Sequence, residues 1–178
     1  MPDRRWRNGH VKKPPFTDFL SMLLYILRHA DAEAPVTSDF ERELTDKGVE
    51  QAKRVGRFCK EKELRLDLIL TSPLVRARET ARHFHSIFGD APAPELAGFL
   101  ASGMEPESAI TELQTYTKLS AVMIVGHEPD LSSLISQLLG FHNPSILRVR
   151  KASLTSLEIH AWRPGGVELL FTLPCKLM

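Results

Sequence analysis

The chain has 178 residues, of which 43% are apolar and 25% are charged, with a formal net charge of +1 and two cysteines. This length and balance fit one globular domain, and they exclude a disordered chain or a small disulfide scaffold. The small net charge argues against a nucleic-acid or a membrane partner, and no apolar run reaches the roughly 18 residues of a membrane span. With only two cysteines, a reducing cytoplasm is the default expectation, and we expect a monomer.

The first twenty residues differ in composition from the rest of the chain. They contain two consecutive prolines, almost no apolar periodicity and a group of basic residues: Arg4, Arg5, Arg7, Lys12 and Lys13. Because no apolar segment follows the basic residues, this is not the pattern of a secretory signal. We interpret residues 1–20 as a disordered basic tail, with an organelle-targeting or nucleic-acid-binding arm as weaker alternatives, and residues 21–178 as the domain.

From residue 22 onward, short apolar runs alternate with amphipathic stretches, which is typical of an α/β domain. The apolar run at 22–27 predicts a strand that is covered on both faces. Thr45 is the predicted N-cap of the first helix. A second short strand is predicted at 66–70, and Ser72, followed by proline, predicts the start of a helix that runs to about Gly89.

The second half of the domain begins with a proline-containing segment. Residues 90–106 are interpreted as a loop, and a helix is predicted through 107–119. A third apolar strand follows at 121–125. Asp130 is the predicted N-cap of the next helix, and Gly140 marks its C-terminal end.

The end of the chain has the period of two strands. Residues 153–162 and 167–173 alternate in the strand manner around a Pro-Gly-Gly turn, which predicts a hairpin. Because helices separate the first three strands, a mainly parallel sheet is favoured. The predicted fold is therefore an α/β three-layer sandwich, with a mainly parallel central sheet flanked by helices and an antiparallel C-terminal hairpin.

Polar side chains follow each of the three apolar strands. Arg28 and His29 follow the first strand, Arg76 lies one helical turn beyond the second, and His127 follows the third. The carboxyl ends of parallel strands meet at one edge of the sheet, where ligands bind in this architecture. Each residue alone has an ordinary interpretation, as a surface arginine or a core histidine. Their coincidence at one edge favours a pocket for a phosphoryl group.

Four motifs in this order carry a resemblance to a known family. They are LRHADAE, LTDKGVEQA, TSPLVRARETA and VGHEPDLSSLISQLLG. Together they resemble the histidine phosphatase (phosphoglycerate mutase-like) superfamily, and most closely its SixA-type phosphohistidine phosphatases. Ala30 departs from the usual Arg-His-Gly signature, but the SixA-like branch often has alanine there, and alanine is tolerated where φ is not positive.

The resemblance implies a role for each residue of the predicted pocket. His29 matches the nucleophile, which is phosphorylated and then hydrolysed, and Arg28, Arg76 and His127 match the other phosphate-binding residues. Arg78 is not expected to share this role, because it is rotated about 200° around the helix from Arg76. Two arginines and a cationic His127 would balance the phosphoryl charge, so no metal and no cofactor are expected.

The general acid is the open point of this assignment. By rough position after the second motif, the resemblance makes Glu95 the candidate, with Asp31 and Glu105 as rivals, and a solvated loop acid is an equally good interpretation of Glu95. A phosphohistidine substrate would lessen the need for an acid, because imidazole leaves more easily than an alkoxide. The short segment between the second-motif helix and the third strand also favours an open pocket.

We therefore expect a phosphatase for phosphohistidine on proteins, with a phosphatase for a small phosphorylated metabolite as the alternative. Mutase activity is disfavoured because no lid is evident, and a binding module without turnover is disfavoured because all four pocket residues are present. Metal catalysis is also disfavoured. Three pairs could suggest a metal, namely His29–Asp31, His83–His85 and His127–Asp130. Of these, His83 and His85 lie on a predicted helix, where residues at i and i+2 face apart and cannot easily share an ion.

Overall fold

The computed structural model describes residues 21–34, 38–141, 143 and 147–178. The tail predicted at residues 1–20 lies outside the described residues. The described strands are β1 (Met22–Arg28), β2 (Leu68–Thr71), β3 (Glu95–Leu96), β4 (Ala121–Gly126), β5 (Leu154–Ile159) and β6 (Val167–Leu173). The described α-helices are α1 (Asp46–Glu61), α2 (Val75–Phe88), α3 (Pro106–Leu113) and α4 (Asp130–Leu138). None of these helices combines the length and the apolar character that crossing a bilayer requires.

All six described strands form one sheet in the order β3-β2-β4-β1-β5-β6. The first four of these strands are mutually parallel, whereas β5 runs antiparallel to β1 and β6 runs antiparallel to β5. The predicted mainly parallel sheet and the predicted C-terminal hairpin are both confirmed. β1 lies inside the sheet, between β4 and β5, which explains why its sequence is an uninterrupted apolar run.

Helices cover both faces of the sheet. Because successive strand residues point to opposite faces, Tyr25 and Leu27 pack in the core under α1 and α2, while Leu24 and Ile26 pack in the core under α3 and α4. All four side chains are buried. The molecule is therefore the three-layer sandwich that the sequence predicts.

Several helix ends are also as predicted. Thr45 caps α1, and its hydroxyl accepts a hydrogen bond from Gly48 N at 3.0 Å. Gly89 follows the last residue of α2 with φ of 78°, and Gly140 stands just beyond α4 with φ of 77°. Glycine is favoured at both ends because other residues adopt such φ values only at a cost.

Two predicted N-caps are wrong. α2 begins at Val75 with Leu74 as its N-cap. The hydroxyl of Ser72 accepts a hydrogen bond from Leu74 N at 3.3 Å and lies 2.7 Å from His127 Nε2, so it bonds just ahead of the helix rather than inside its first turn. Asp130 is the first residue of α4 rather than its cap. Its carboxylate accepts hydrogen bonds from the backbone of a neighbouring loop, at Gly103 N and Met104 N.

The segment between α2 and β4 also differs from its prediction. The predicted loop at 90–106 contains the two-residue strand β3, which pairs with β2 at the sheet edge, where prolines are tolerated just before a strand. The predicted helix at 107–119 is shorter, since α3 ends at Leu113 and a 3₁₀ turn follows. Thr115 bonds its hydroxyl to Glu112 O at 2.6 Å, a local alternative to continued helix.

Candidate active site

The carboxyl ends of β1, β2 and β4 lie side by side, and the backbone just beyond them is tied together. Arg28 is in register with Gly126, and His29 N donates to Gly126 O at 3.0 Å. On the other side of β4, Ser72 N donates to Val125 O at 3.0 Å. The predicted convergence at this edge is therefore present in the structure.

Four basic side chains lie at this edge, and we call Arg28, His29, Arg76 and His127 the basic pocket. His29 is 5% exposed, Arg76 is 4% exposed and His127 is 2% exposed. The imidazole rings of the two histidines have their centroids 5.2 Å apart. Burying so much basic character in one place is costly unless the groups are paired, which points to an anionic ligand.

One tautomer of His29 is selected by a backbone hydrogen bond. Its Nδ1 lies 2.8 Å from Ala30 O, so Nδ1 carries the proton and donates it, and the lone pair is on Nε2. Ala30 is in turn fixed, because its N donates to Thr80 Oγ1 on α2 at 3.0 Å. The φ of Ala30 is outside the left-handed region, so alanine is accommodated in place of the usual glycine.

Both pocket histidines are neutral at neutral pH in the unliganded protein. Burial lowers the pKa of His29 to about 3, assisted by repulsion from His127, Arg76 and Arg28 and opposed by the bond to the Ala30 carbonyl. Burial and then Arg76 lower the pKa of His127 to about 4. The cationic His127 expected from the sequence is therefore absent from the unliganded pocket, although a bound anion would raise its pKa.

Each arginine of the pocket has a buried Nε that no described residue bonds. Arg28 donates from Nη1 to Val149 O at 2.9 Å, and burial lowers the pKa of Arg28 while the Glu128 carboxylate opposes that shift. Among the described residues, nothing bonds to the buried Arg28 Nε, Arg76 Nε or His127 Nδ1. Buried polar nitrogens normally have partners, so their lack of partners here also fits a ligand site.

Arg76 binds an acidic residue that the sequence analysis did not single out. It donates from Nη1 to Asp39 O at 2.6 Å and from Nη2 to Asp39 Oδ2 at 2.9 Å. The carboxylate of Asp39 also raises the pKa of His127, so it lies close to both groups. Asp39 lies outside any helix or strand, and no periodicity or motif spacing marked it in the sequence.

Two serines at the pocket were likewise missed. Ser72 is fully buried and bonds to His127, although the sequence suggested a helix cap. Ser102 Oγ lies 3.4 Å from Arg76 Nη2, and the Asp130 carboxylate holds the loop beside it through Gly103. A serine before proline was the signal for Ser72, but only the tertiary structure shows which partner its hydroxyl takes.

The three acids predicted from the sequence are not hydrogen-bonded to the basic pocket. Glu95 is exposed on β3, opposite Leu70. Asp31 accepts from Lys151 Nζ at 2.5 Å and from Thr45 Oγ1 at 3.1 Å, and the bond to Lys151 is the main reason why its pKa is lowered. Glu105 is exposed at the N-terminus of α3.

The histidines of α2 do not form a joint site. His85 Nε2 donates to Ala91 O at 2.9 Å, whereas His83 lies against Arg82. Within the described residues, one other group brings three possible metal ligands within 4.8 Å of one another, namely Glu158, His160 and Glu168. That group stands at the opposite end of the sheet from the basic pocket, because Glu158 pairs with Leu23 near the start of β1.

Comparison with known proteins gives consistent matches. The family model of the histidine phosphatase superfamily (branch 1) matches residues 24–99. The chain is 32% identical over 136 residues to a phosphohistidine phosphatase SixA homolog of Haemophilus influenzae, covering 69% of this chain and 80% of that protein.

Solved structures match over most of their length. The structure of the protein histidine phosphatase SixA complexed with tungstate has a TM-score of 0.78 and 20% identity, covering 87% of this chain and 98% of the other. An alpha-ribazole phosphatase from Shigella flexneri has a TM-score of 0.72 and 20% identity, covering 86% and 97%. At such identities the likeness establishes the fold, and proteins with different substrates share it.

Proposed function

The chain belongs to the histidine phosphatase superfamily and is a phosphatase, and from this premise we propose that it removes phosphoryl groups from phosphohistidine side chains of proteins. The reaction proceeds through a covalent phosphohistidine on His29. The observation that carries the proposal is the hydrogen bond from His29 Nδ1 to Ala30 O, which leaves an unprotonated Nε2 inside a basic pocket.

The nucleophile is His29 Nε2. It attacks phosphorus as the bond from phosphorus to the substrate nitrogen breaks, and water then cleaves the bond between phosphorus and Nε2 to release inorganic phosphate and restore His29. A histidine attacks only when its reacting nitrogen is unprotonated. The lowering of the His29 pKa to about 3 keeps that nitrogen available across the physiological pH range.

The remaining residues of the basic pocket stabilise the transferring phosphoryl group. Its negative charge is spread over three oxygens, and the guanidinium groups of Arg28 and Arg76 offer forked donors to match them. His127 takes up a proton as the negative charge of the bound phosphoryl group raises its pKa, and it then becomes the third cation of the pocket. These groups supply the positive charge that the transition state needs.

Two observations favour a protein-borne phosphohistidine as the substrate. The related proteins named above include SixA and a SixA homolog, which are phosphohistidine phosphatases by name. The segment between α2 and β4 holds only a two-residue strand, short 3₁₀ turns and the eight-residue helix α3, and so short a segment favours an open pocket that suits a protein-borne group. The buried free thiols Cys59 and Cys175 fit a reducing compartment, and we propose the cytoplasm.

The first test compares the wild type with His29→Ala and with His83→Ala, which alters a histidine outside the pocket. The substrates are a histidine-phosphorylated protein and p-nitrophenyl phosphate. We expect the wild type and His83→Ala to dephosphorylate the protein, and His29→Ala to act on neither substrate because the nucleophile is gone. Radiolabel from the phosphoprotein should be trapped through an acid-sensitive linkage on the wild type and on His83→Ala, but not on His29→Ala.

Equal turnover by His29→Ala would remove the nucleophile assignment. Fast hydrolysis of small esters together with no hydrolysis of phosphohistidine would instead favour the small-metabolite alternative, which uses the same pocket. Repeating the assay in EDTA tests the charge argument, because arginine-based stabilisation predicts full activity. Loss of activity in EDTA, with recovery on addition of a divalent ion, would contradict it.

A further inference from the structure

Asp39 occupies the mouth of the basic pocket, and none of the three acids suggested by the sequence does so. We propose that Asp39 carries the proton of the reaction, giving it to the leaving group and later taking one from the attacking water. This inference rests on the proposed phosphoenzyme mechanism, and it adds a catalytic residue to that mechanism.

The backbone holds Asp39 at the pocket independently of its carboxylate. Arg76 Nη1 donates to Asp39 O at 2.6 Å, and Val75 N donates to Phe40 O at 3.1 Å. Both bonds run to the first turn of α2. The carboxylate can therefore give up its contact with Arg76 to an incoming phosphoryl group while the residue itself stays in place.

The carboxylate of Asp39 is exposed to solvent beside the buried guanidinium group of Arg76. Its Oδ2 is 2.9 Å from Arg76 Nη2, and the side chain of Asp39 is 55% exposed whereas that of Arg76 is 4% exposed. When the basic pocket holds a phosphoryl group, His29 attacks phosphorus from the buried side. The leaving group must then depart toward solvent, because the attacking and leaving atoms stand roughly in line. Asp39 is thus on the side where the leaving group departs.

A further carboxylate near the pocket is fully engaged elsewhere. Glu128 accepts bonds from Ser132 Oγ at 2.6 Å and 2.7 Å and from Val149 N at 3.0 Å. Its negative charge also acts on Arg28. Glu128 therefore supports the arginine, and Asp39 is left as the acid that can exchange a proton at the mouth.

The protons balance without a further reactant. A hydrogen bond from Arg42, together with Arg76, lowers the pKa of Asp39, so its carboxylate is ionised in the unliganded protein. A phosphorylated substrate brings a proton when it binds as its monoanion, since the second pKa of a phosphate is near ~6. That proton passes to Asp39 and then to the leaving atom as its bond to phosphorus breaks and the bond from phosphorus to His29 Nε2 forms.

The second half of the cycle restores the residue. Water attacks the phosphohistidine, the bond between phosphorus and Nε2 breaks, and the water proton goes to the Asp39 carboxylate. The proton leaves with the product, and Asp39 can again pair with Arg76.

The experiment uses the leaving group as the probe. Asp39→Asn keeps the shape of the side chain but carries no exchangeable acid proton, and Glu41→Gln alters an exposed acid of the same loop as the matched control. With phenyl phosphate, whose leaving group is more basic than p-nitrophenolate, we expect kcat/KM of Asp39→Asn to fall by about 10²–10³. With p-nitrophenyl phosphate the fall should be below about tenfold, and Glu41→Gln should match the wild type on both.

Equal losses of kcat/KM on the two esters would overturn the proposal and leave Asp39 as a positioning residue for Arg76. If Asp39→Asn has a lower KM than the wild type and is inhibited more tightly by inorganic phosphate, while its sensitivity to the leaving group is unchanged, then Asp39 competes with the phosphoryl group for the pocket and does not carry a proton. If the wild type hydrolyses both esters but not phosphohistidine, the substrate proposal fails while the comparison of esters still decides the role of Asp39.

Discussion

Arg76 and Arg78 are two positions apart on α2, yet one is buried in the pocket and the other is exposed. In the proposed mechanism Arg76 donates to the phosphoryl oxygens, so Arg76→Ala should lower kcat/KM for a phosphohistidine protein by about 10²–10³, the usual effect of losing one such donor. Arg78→Ala should leave the rate unchanged. Steady-state kinetics on both variants and the wild type make the comparison.

Arg76→Lys refines the same test at the level of one functional group. Lysine keeps the charge but lacks the planar fork, so its activity should lie between those of the wild type and Arg76→Ala. Equal activity of all Arg76 variants, or an equal loss in Arg78→Ala, would contradict the assignment of the pocket.

At the scale of single residues, the sequence predicts the members of the basic pocket better than their partners. Arg28, His29 and His127 follow strands that must lie side by side, so topology alone brings them together. Asp39 reaches Arg76 along an irregular loop, whose path leaves no periodic signal. The hydroxyl of Ser72 bonds to Leu74 N and also to His127, and only the second of these partners depends on the tertiary structure.

At the scale of elements, α1 packs through a glycine against the segment that follows His29. A Cβ added at Gly48 would lie 1.9 Å from the backbone carbonyl oxygen of Asp31, which follows Ala30 in the chain. Alanine normally stabilises a helix relative to glycine by about 1 kcal/mol, but here the clash with backbone should reverse the sign. We expect Gly48→Ala to lower the free energy of unfolding by about 1–3 kcal/mol, the usual cost of overpacking.

Denaturant unfolding of Gly48→Ala measures this effect, with Gly98→Ala as the control, because a Cβ at Gly98 meets nothing within 4 Å. The folded Gly48→Ala variant should also be less active, since the clash displaces the chain that holds Ala30 O against His29. A variant as stable and as active as the wild type would contradict the close packing of α1 on this segment.

The sequence predicts some helices and strands more accurately than others. Long helices follow from periodicity, as α1 illustrates, and buried strands follow from short continuous apolar runs, as β1 illustrates. β3 could not be predicted, because a two-residue strand at the sheet edge is defined by its partner β2 rather than by its own sequence. The predicted start of α2 is two residues too early, since the hydroxyl of Ser72 bonds to Leu74 N and to His127, and the helix begins only at Val75.

At the scale of the whole molecule, the two pocket histidines couple folding to pH. Their folded pKa values of about 3 and about 4 lie below the ordinary value of 6.5, so the unfolded chain binds more protons in acid. The free energy of unfolding should therefore fall as pH drops from 6.5 toward 4, by up to about 1.4 kcal/mol per pH unit for each histidine. Denaturant titrations at several pH values measure the slope.

The variant His127→Gln provides the control, because it removes one of the two groups and should make this slope shallower. Asp31 and Asp39, whose pKa values are lowered, add their own loss of stability only below the ordinary carboxyl range. Stability that is constant between pH 6.5 and 4.5 would contradict the burial of two neutral histidines.

The position of β1 inside the sheet has a consequence for how the protein is made. Arg28 and His29 are translated well before both neighbours of β1, which are residues 121–126 and 154–159. Until then the nascent chain carries an apolar strand with two open edges, which can pair with other chains. The basic pocket therefore forms only after β4 and His127 have been translated, and a chain that lost its C-terminal hairpin would leave one edge of the strand that precedes His29 unprotected.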